Sequence, residues 1–309
     1  MKQTIKSSKA VTLAFKILLT SILGLSTPLF ASSPSDRCEV IFADSQAAVL
    51  RTGARTGGPA VISKANKLSQ PFGLAVGKNG EFFVSDTGCL GLLGIDPKSG
   101  EQRLISSGGI LGMPLGIAVE HSGMILVANA ESLVRVNPET GAQTILSTGN
   151  LFRVPLAVAV SENGDIYVVD ALGPVIRVDS ASGAQTLISS GGVLHRPQGI
   201  AVKGKHIYVT DVAGMNFGVG RIIQIDIRSG RQNILSEGGN LVGPVGITVE
   251  PKGGLIVGDP YTVNPESADI FDGGIIRIDE NSGVQTLIAR GSDIFVNPRG
   301  VAVVQKAGN

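Results

Sequence analysis

A six-residue motif recurs six times and divides the sequence into units of similar length. Its copies read PFGLAV, PLGIAV, PLAVAV, PQGIAV, PVGITV and PRGVAV, and they begin at Pro71, Pro114, Pro155, Pro197, Pro244 and Pro298. The successive spacings are 43, 41, 42, 47 and 54 residues. A period of this size predicts one supersecondary unit that is repeated through the fold, because a single unit cannot bury its own apolar face.

Each unit contains four short segments that are typical of β-strands. After the motif comes a turn such as SENG, then a run that ends in Asp or Asn, such as DIYVVD. A third run such as VIRVD follows, then a turn such as DSASG and a fourth run such as QTLIS. Four strands in roughly 40 residues are typical of one propeller blade. The sequence therefore predicts an all-β fold, a six-bladed β-propeller of four-stranded antiparallel blades.

The sixth unit is incomplete at the C-terminus, where only its first strand remains (299–304). The runs EVIFAD, AVLRT and PAVIS, within residues 39–63, match the second, third and fourth strands of a unit. We therefore expect the ring to be closed by N-terminal strands (39–63) plus the C-terminal strand (299–304), in a single domain over residues 38–305. Such closure removes the exposed strand edges at which proteins aggregate.

The N-terminus has the features of a secretory signal peptide. Lys2, Lys6 and Lys9 precede an apolar run, and Ala31 ends a plausible cleavage site. We expect residues 1–31 to be a signal peptide and the mature protein to be secreted or periplasmic; an uncleaved membrane anchor is the alternative. No later stretch is apolar enough to span a bilayer.

Charge and cysteine content exclude some functions. Removal of residues 1–31 takes away four lysines and no acid, which changes the formal net charge from +1 to −3. This charge argues against nucleic acid as a partner, because such binding requires a basic surface. Cys38 and Cys89 are the two cysteines, and the predicted blades place them toward opposite ends of neighbouring blades, which disfavours a disulfide.

The units resemble NHL repeats, whose pattern is P-x-G-[ILV]-A-V followed by G-x-[IL]-[YFL]-V-x-D. The resemblance covers essentially the whole mature chain. It implies the propeller fold but no single function, because function depends on sites that differ among proteins of one fold. Exported proteins of this broad class include virginiamycin-B-lyase-like enzymes and gluconolactonase-like proteins, and other NHL propellers bind proteins.

One repeated polar position is expected to be structural. Asp96, Asn137, Asp179, Asp226 and Asp279 each begin the turn between strands three and four, and Gly100, Gly141, Gly183, Gly230 and Gly283 follow them. Asp or Asn can accept hydrogen bonds from its own turn, and glycine can adopt a left-handed backbone conformation.

A second polar position ends strand two of each blade: Asp44, Asp86, Asn129, Asp170, Asp211 and Asp259. Strand three carries Arg51, Arg135, Arg177 and Arg277. We expect each arginine to pair with the Asp or Asn of its own blade, or with nearby carbonyls, because its guanidinium suits a partly buried bidentate contact. Gly94 and Gln224 replace the arginine in two blades, so Asp86 and Asp211 should be the acids least committed to structure.

Functional residues are expected on one face, which we call the loop-rich face. It carries the inter-blade loops, which precede strand one of each blade, and the connections between strands two and three. Blades four and five have long insertions there, and long loops on a rigid scaffold often carry function. Five loop aromatic residues also fall on this face, and they could form a partner surface or pack the loops against the blades: Phe152, Phe217, Tyr261, Phe271 and Phe295.

Within this face, the candidate ligand-binding residues are Arg153, Arg196, Gln198, Asp259, Tyr261 and Arg299. Gln198 and Arg299 occupy the variable position of P-x-G, which should surround the mouth of the central channel. His195 and Asp211 are the catalytic candidates if the protein is an enzyme, since a histidine oriented by a carboxylate can act as a general base.

Three functional hypotheses remain open. The first is an exported propeller that binds a small anionic ligand or a protein partner on the loop-rich face without catalysis. The second is a lyase or hydrolase, virginiamycin-B-lyase-like or lactonase-like, with His195 as general base at the channel mouth. The third is a non-catalytic structural module of an envelope complex. We expect no cofactor, no metal and a monomer.

Overall fold

The computed structural model describes residues 38–53, 58–213, 219–251, 253–262, 272–291 and 295–305. The expected signal peptide, residues 1–31, lies outside these ranges, and so do Phe217 and Phe271. Where the structure describes the chain, no helix is long and apolar enough to cross a membrane.

The described residues form 24 strands in six four-stranded antiparallel sheets, as the sequence predicts. The first three strands are β1 (Cys38–Asp44), β2 (Ala48–Gly53) and β3 (Ala60–Lys64). Blade one contains β4 (Pro71–Val76), β5 (Phe82–Asp86), β6 (Gly91–Ile95) and β7 (Gln102–Ser107). Blade two contains β8 (Pro114–Val119), β9 (Ile125–Asn129), β10 (Ser132–Val136) and β11 (Gln143–Thr148). Blade three contains β12 (Pro155–Val160), β13 (Ile166–Asp170), β14 (Val175–Val178) and β15 (Gln185–Ser189).

The remaining strands complete the ring. Blade four contains β16 (Pro197–Lys203), β17 (His206–Ala213), β18 (Val219–Asp226) and β19 (Gln232–Glu237). Blade five contains β20 (Gly246–Val249), β21 (Leu255–Asp259), β22 (Gly274–Ile278) and β23 (Gln285–Arg290). The last strand, β24 (Pro298–Gln305), pairs antiparallel with β1 and makes a sixth blade with the order β24-β1-β2-β3. The predicted closure by the two ends of the chain is confirmed.

The apolar core lies between neighbouring blades. Six clusters of buried residues each combine side chains of two adjacent blades, as Val127 of blade two does with Phe83 of blade one. The glycine of P-x-G is required by the close approach of the innermost strands. A Cβ at Gly73 would lie 2.6 Å from the carbonyl oxygen of Leu115, in strand one of the next blade.

A glutamine that begins strand four joins each of five blades to the blade before it. In blade three, the Gln185 amide donates to Ser147 Oγ and to the Gly149 carbonyl, and its oxygen accepts the Leu151 N–H. Ser147 donates in turn to the carbonyl of Gly183. The same glutamine–serine contact is made by Gln102 with Ser63, Gln143 with Ser106, Gln232 with Ser189 and Gln285 with Ser236.

The junction between blades five and six lacks this contact. Its two positions hold Ala289 and Pro59, neither of which can supply the side-chain hydrogen bonds. Apolar packing replaces them, because Phe295 is buried against Phe42 with ring centroids 4.8 Å apart. The blade built from both ends of the chain is therefore joined to blade five by a different interaction.

Two smaller expectations concern turns and cysteines. Asp179 Oδ1 accepts the Ser182 N–H and hydroxyl, and Gly183 has φ 71, as expected for a structural turn. These hydrogen bonds lower the pKa of Asp179. Cys38 and Cys89 are both free thiols.

Replacement of Gln185 tests the contact between blades. Gln185→Ala leaves the Leu151 N–H without its acceptor and the Ser147 oxygen without its donor, so we expect the free energy of unfolding in urea to fall by about 1–3 kcal/mol. The matched control is Thr186→Ala, at the neighbouring exposed position of the same strand, for which we expect a change of no more than about 0.5 kcal/mol. Equal losses in the two variants would contradict the structural role of Gln185.

Candidate functional site

The acid that ends strand two holds the inter-blade loop of its own blade. In blade three, Asp170 Oδ2 accepts the N–H groups of Arg153 and Val154, each at 2.7 Å. Its second oxygen, Oδ1, accepts the N–H of Leu172, two residues further along the chain. Asp44, Asp86 and Asp259 bind the corresponding amides in the same way. Each of these four carboxylates therefore fixes the inter-blade loop of its own blade.

The predicted pairing of strand-three arginines with these acids is wrong. Arg135 binds Glu120 at 2.7 Å and Arg277 binds Glu250 at 2.6 Å. Arg177 lies 3.3 Å from Asp165 in an exposed pair, and Arg51 is exposed. These acids belong to the turns between strands one and two, on the face opposite the loop-rich face.

The strand register gives the reason. Arg135 pairs with Leu126, three residues before Asn129 in β9. Side chains alternate between the two faces of a strand, so the side chain of Asn129 lies on the face of the sheet opposite to those of Leu126 and Arg135. The turn acids lie nearer, so the arginines bind there.

Asp86 is also fully committed to structure, contrary to expectation. It accepts the backbone N–H groups of Ser69, Gln70, Gly88 and Cys89. The missing strand-three arginine of blade one is replaced on the opposite face, where Arg103 from β7 binds Glu81. The absence of an arginine therefore carries no information about the strand-two acid.

Asp211 in blade four is different, because one of its oxygens has no hydrogen-bond partner. Oδ2 accepts the N–H groups of His195 and Arg196, as in the other blades. Oδ1 accepts no hydrogen bond from the residues that the structure describes, although the side chain is fully buried. The cause is the length of β17, which continues past Asp211 and pairs Ala213 with Val219. The residue two positions after the acid is thus part of a strand instead of a turn that faces the carboxylate.

His195 is the side chain nearest to this oxygen, and it is linked through Arg221 to Glu237. His195 Nδ1 lies 3.9 Å from Asp211 Oδ1 and 3.4 Å from Arg221 Nη1. Arg221 stands opposite Asp211 in the β17–β18 pair, and its Nε donates to Glu237 Oε1 at 2.6 Å. The His195 side chain is 49% exposed, whereas that of Arg221 is 17% exposed. Arg221 and Glu237 were not predicted, since the insertion after Asp211 hides the register of β18.

Burial affects two carboxylates of this face. It raises the pKa of Asp211, against the opposing effect of the His195 and Arg196 amides. It also raises the pKa of Asp259 to about 6, although the amides of Tyr261, Val242 and Gly243 lower it. Asp259, a candidate ligand-binding residue, is fully buried and uses its oxygens to position the blade-five loop.

Gln198 and Arg299 lie at the mouth of the channel. Gln198 and Phe72 line a cavity of about 60 Å³ there, and the Arg299 guanidinium lies 5.2 Å from the centroid of the Phe72 ring. Arg299 Nε donates to Asn297 Oδ1, and burial lowers the pKa of Arg299. A cavity of this size holds only a few waters, whereas pockets for small molecules span roughly 300–1,000 Å³. The channel widens to about 330 Å³ toward the opposite face, between small aliphatic side chains such as Ala118.

The loop aromatics that the structure describes are mainly packing residues. Phe152 and Phe295 are buried in the clusters between blades, so they form no exposed aromatic surface. Tyr261 is half-buried, and its ring packs so closely over Gly243 that a Cβ there would lie 2.5 Å from the ring.

Basic side chains are exposed on neighbouring blades of this face. Arg153 and Arg196 are exposed, and half of His195 is accessible. Arg153 and His195 occupy equivalent positions, because their N–H groups bind Asp170 and Asp211 respectively. Among the described residues, no three His, Cys, Asp or Glu side chains are arranged to hold a metal ion.

Comparisons with known proteins define the class as a six-bladed β-propeller and do not define a family. No protein-family model and no curated protein match the chain. Among solved structures, a chain in the crystal structure of the nidogen/laminin complex is 15% identical, with a TM-score of 0.71 over 87% of this chain and 100% of that chain. Selenomethionine-substituted virginiamycin B lyase from Staphylococcus aureus is 18% identical, with a TM-score of 0.53 over 71% of this chain and 69% of that chain. At these identities the likeness concerns the fold alone.

Substitutions in blade three test which partner the strand-two acid has. Asp170→Ala removes the acceptor of three amides, so we expect urea unfolding to show a loss of about 2–4 kcal/mol. Asp170→Asn should lose less, since Asn129 performs the same role in blade two. Arg177→Ala removes only an exposed pair and should cost less than about 1 kcal/mol. Equal losses of stability for Asp170→Ala and Arg177→Ala would instead support the prediction that these two residues pair with each other.

Proposed function

We propose that this chain is an exported NHL-type propeller whose loop-rich face binds an anionic group, carried by a protein partner or by a small molecule. The observation that supports this function is the exposure of Arg153, His195 and Arg196 on two adjacent inter-blade loops. Guanidinium groups bind carboxylates and phosphates through charge-assisted hydrogen bonds, which are among the stronger ones in proteins.

The loops that carry these cations are held in place before any ligand binds. Asp170 accepts the backbone N–H of Arg153, and Asp211 accepts those of His195 and Arg196. A backbone that is already fixed loses less conformational entropy on binding, which favours affinity. The carboxylates bind only the backbone, and Arg153 donates through Nη1 alone to the carbonyls of Asn150 and Phe152, so its other guanidinium N–H groups stay available for a ligand.

Shape favours a protein over a small molecule as the carrier of the anionic group. The cavity at the channel mouth, about 60 Å³, is too small to enclose a metabolite. Exposed charges on adjacent loops suit a partner that contacts several loops at once. The similar propeller in the nidogen/laminin complex belongs to a protein that was crystallised with a partner protein, in agreement with this use of the fold.

Charge removal on the loop-rich face tests the proposal. The mature protein, from Ser32, is screened by thermal shift against metabolites and used to capture proteins from the exported fraction of its source. We expect Arg153→Ser/Arg196→Ser to weaken binding of the identified ligand by about tenfold or more, which corresponds to about 1.4 kcal/mol. Stabilisation by a metabolite would identify a small molecule as the carrier of the anionic group, and capture of a protein would identify a protein partner.

The matched control is Arg231→Ser, which removes an exposed arginine from a turn on the opposite face. It should bind like the wild type. If the double variant also binds with unchanged affinity, the anion-binding role of the loop-rich face is wrong.

A second candidate is an enzyme, a lyase or hydrolase with His195 as general base and Asp211 as the carboxylate that orients it. The observation in its favour is the unpartnered Asp211 Oδ1, 3.9 Å from His195 Nδ1. Turnover of a compound found in the metabolite screen, with loss of about 10²-fold or more in kcat for His195→Ala, would support it. A ligand that stabilises both forms equally without turnover would exclude it.

A further inference from the structure

We propose that His195 is a proton-controlled switch in blade four: protonation moves its Nδ1 from Arg221 to Asp211 and frees Arg221 Nη1 to bind an oxyanion. The oxyanion is the anionic group of the proposed function, so this consequence rests on that proposal. The exchange of partners by His195 does not depend on it and is tested separately below.

The contact with Arg221 identifies the neutral form of His195. A guanidinium group has only N–H donors and no acceptor. The 3.4 Å contact between Arg221 Nη1 and His195 Nδ1 therefore requires Nδ1 to accept, and the ring proton then lies on Nε2. Arg221 is itself held by Glu237, which fixes the guanidinium beside the ring.

Protonation of His195 makes that contact impossible and creates a new one. In the imidazolium form both ring nitrogens are donors, so Nδ1 can no longer accept from Arg221. The nearest acceptor is Asp211 Oδ1 at 3.9 Å, the buried oxygen that lacks a hydrogen bond. A movement of roughly 1 Å brings the pair to hydrogen-bond distance. Such a movement is open to His195, because half of its side chain is exposed.

Among the six strand-two positions, all of which the structure describes, the acceptor is available only in blade four. Asp44, Asp86, Asp170 and Asp259 use the corresponding oxygen to accept the N–H of the residue two positions later. In blade four that residue is Ala213, which lies within β17. The long β17 therefore supplies both a buried oxygen without a donor and, across the strand pair, Arg221.

The charged groups around His195 come from three strands and its own loop. Asp211 on β17 attracts the protonated ring, whereas Arg221 on β18 and the neighbouring Arg196 repel it. Glu237 on β19 offsets the charge of Arg221. After the exchange, the ion pair of His195 with Asp211 separates the imidazolium from the guanidinium, and Arg221 keeps its contact with Glu237 through Nε.

The consequence is an anion site that strengthens as the pH falls. Acidification adds one positive charge at His195, the residue before Arg196, and releases one guanidinium N–H group of Arg221. A carboxylate or another oxyanion that binds these cations therefore gains a donor in acid that it lacks at neutral pH. Histidine is the side chain whose ordinary titration makes this change possible between pH 5 and 8.

The first experiment follows the ring of His195 in the ligand-free mature protein by ¹⁵N NMR, which distinguishes the two neutral tautomers. We expect the Nε2–H tautomer at pH 8. Asp211→Asn should move the titration midpoint of His195 to lower pH, and Arg221→Gln should move it to higher pH. The matched control is Asp170→Asn in blade three, which should leave the midpoint unchanged. An Nδ1–H tautomer at pH 8, or midpoints unaffected by both blade-four substitutions, would overturn the exchange.

The second experiment measures sulfate binding by calorimetry, because sulfate keeps its charge between pH 8 and 5.5. We expect the wild type to bind sulfate at least about fivefold more tightly at pH 5.5 than at pH 8, a ratio typical of coupled sites. His195→Asn and Arg221→Gln should each remove most of this pH dependence, whereas Arg231→Ser should retain it. A wild-type affinity that is equal at the two pH values would overturn the link between the exchange and anion binding.

The two proposals fail in different ways. If the ring of His195 exchanges partners but Arg153→Ser/Arg196→Ser leaves partner capture unchanged, the proposed function is wrong and the switch stands. If partner capture depends on Arg153 and Arg196 but Asp211→Asn leaves the titration midpoint of His195 unchanged, the proposed function stands and the switch is wrong. Melting temperatures of the Asp211 and Arg221 variants confirm that each remains folded.

Discussion

In each blade, the side chain that ends strand two forms hydrogen bonds with the backbone of the inter-blade loop. These hydrogen bonds determine the shape of the loop-rich face. A buried carboxylate needs several donors, and backbone N–H groups of a turn and a loop can supply them together. Asp170 accepts three amides in this way, and Asn129 achieves a similar result with one acceptor and one donor. Because the backbone makes these contacts, the loop side chains can vary without loss of the scaffold. Arg153 and His195 are examples of that freedom.

Ring closure is a second constraint, and the junctions between blades satisfy it with two different interactions. Five junctions use a glutamine–serine contact, and the junction between blades five and six uses Phe42 and Phe295. Ala289 and Pro59 change together at this junction, as expected for two positions that contact each other elsewhere. Apolar packing there shields the pairing of β1 with β24, which joins residues more than 250 positions apart in the chain.

The sequence predicts the repeated strands well, but it predicts the interaction partners of their side chains poorly. Blade number, strand order and closure follow from a period of about 42 residues, which the alternation of strands and turns makes visible. Side-chain partners depend on register and direction, which one repeat does not reveal. The repetition of both residues predicts a contact of Arg135 with Asn129, yet the register places Arg135 beside Glu120. The sequence singles out His195 and Asp211 as departures from the pattern, and their role in catalysis stays a prediction, whereas the position of Arg221 becomes visible only from the length of β17.

The blade-four insertion alters the surroundings of Asp211, the residue that ends the repeated part of strand two. Extension of β17 past Asp211 places Ala213 in the strand, so no turn amide faces Oδ1. The same extension pairs Asp211 with Arg221, which brings a cation within 3.4 Å of the His195 ring. The extension of β17 therefore places His195 between two competing groups. One is Asp211 Oδ1, a buried acceptor without a donor, and the other is the guanidinium of Arg221. An insertion can thus create a titratable site on a propeller without any new residue in the repeated framework, provided that the inter-blade loop happens to carry a histidine.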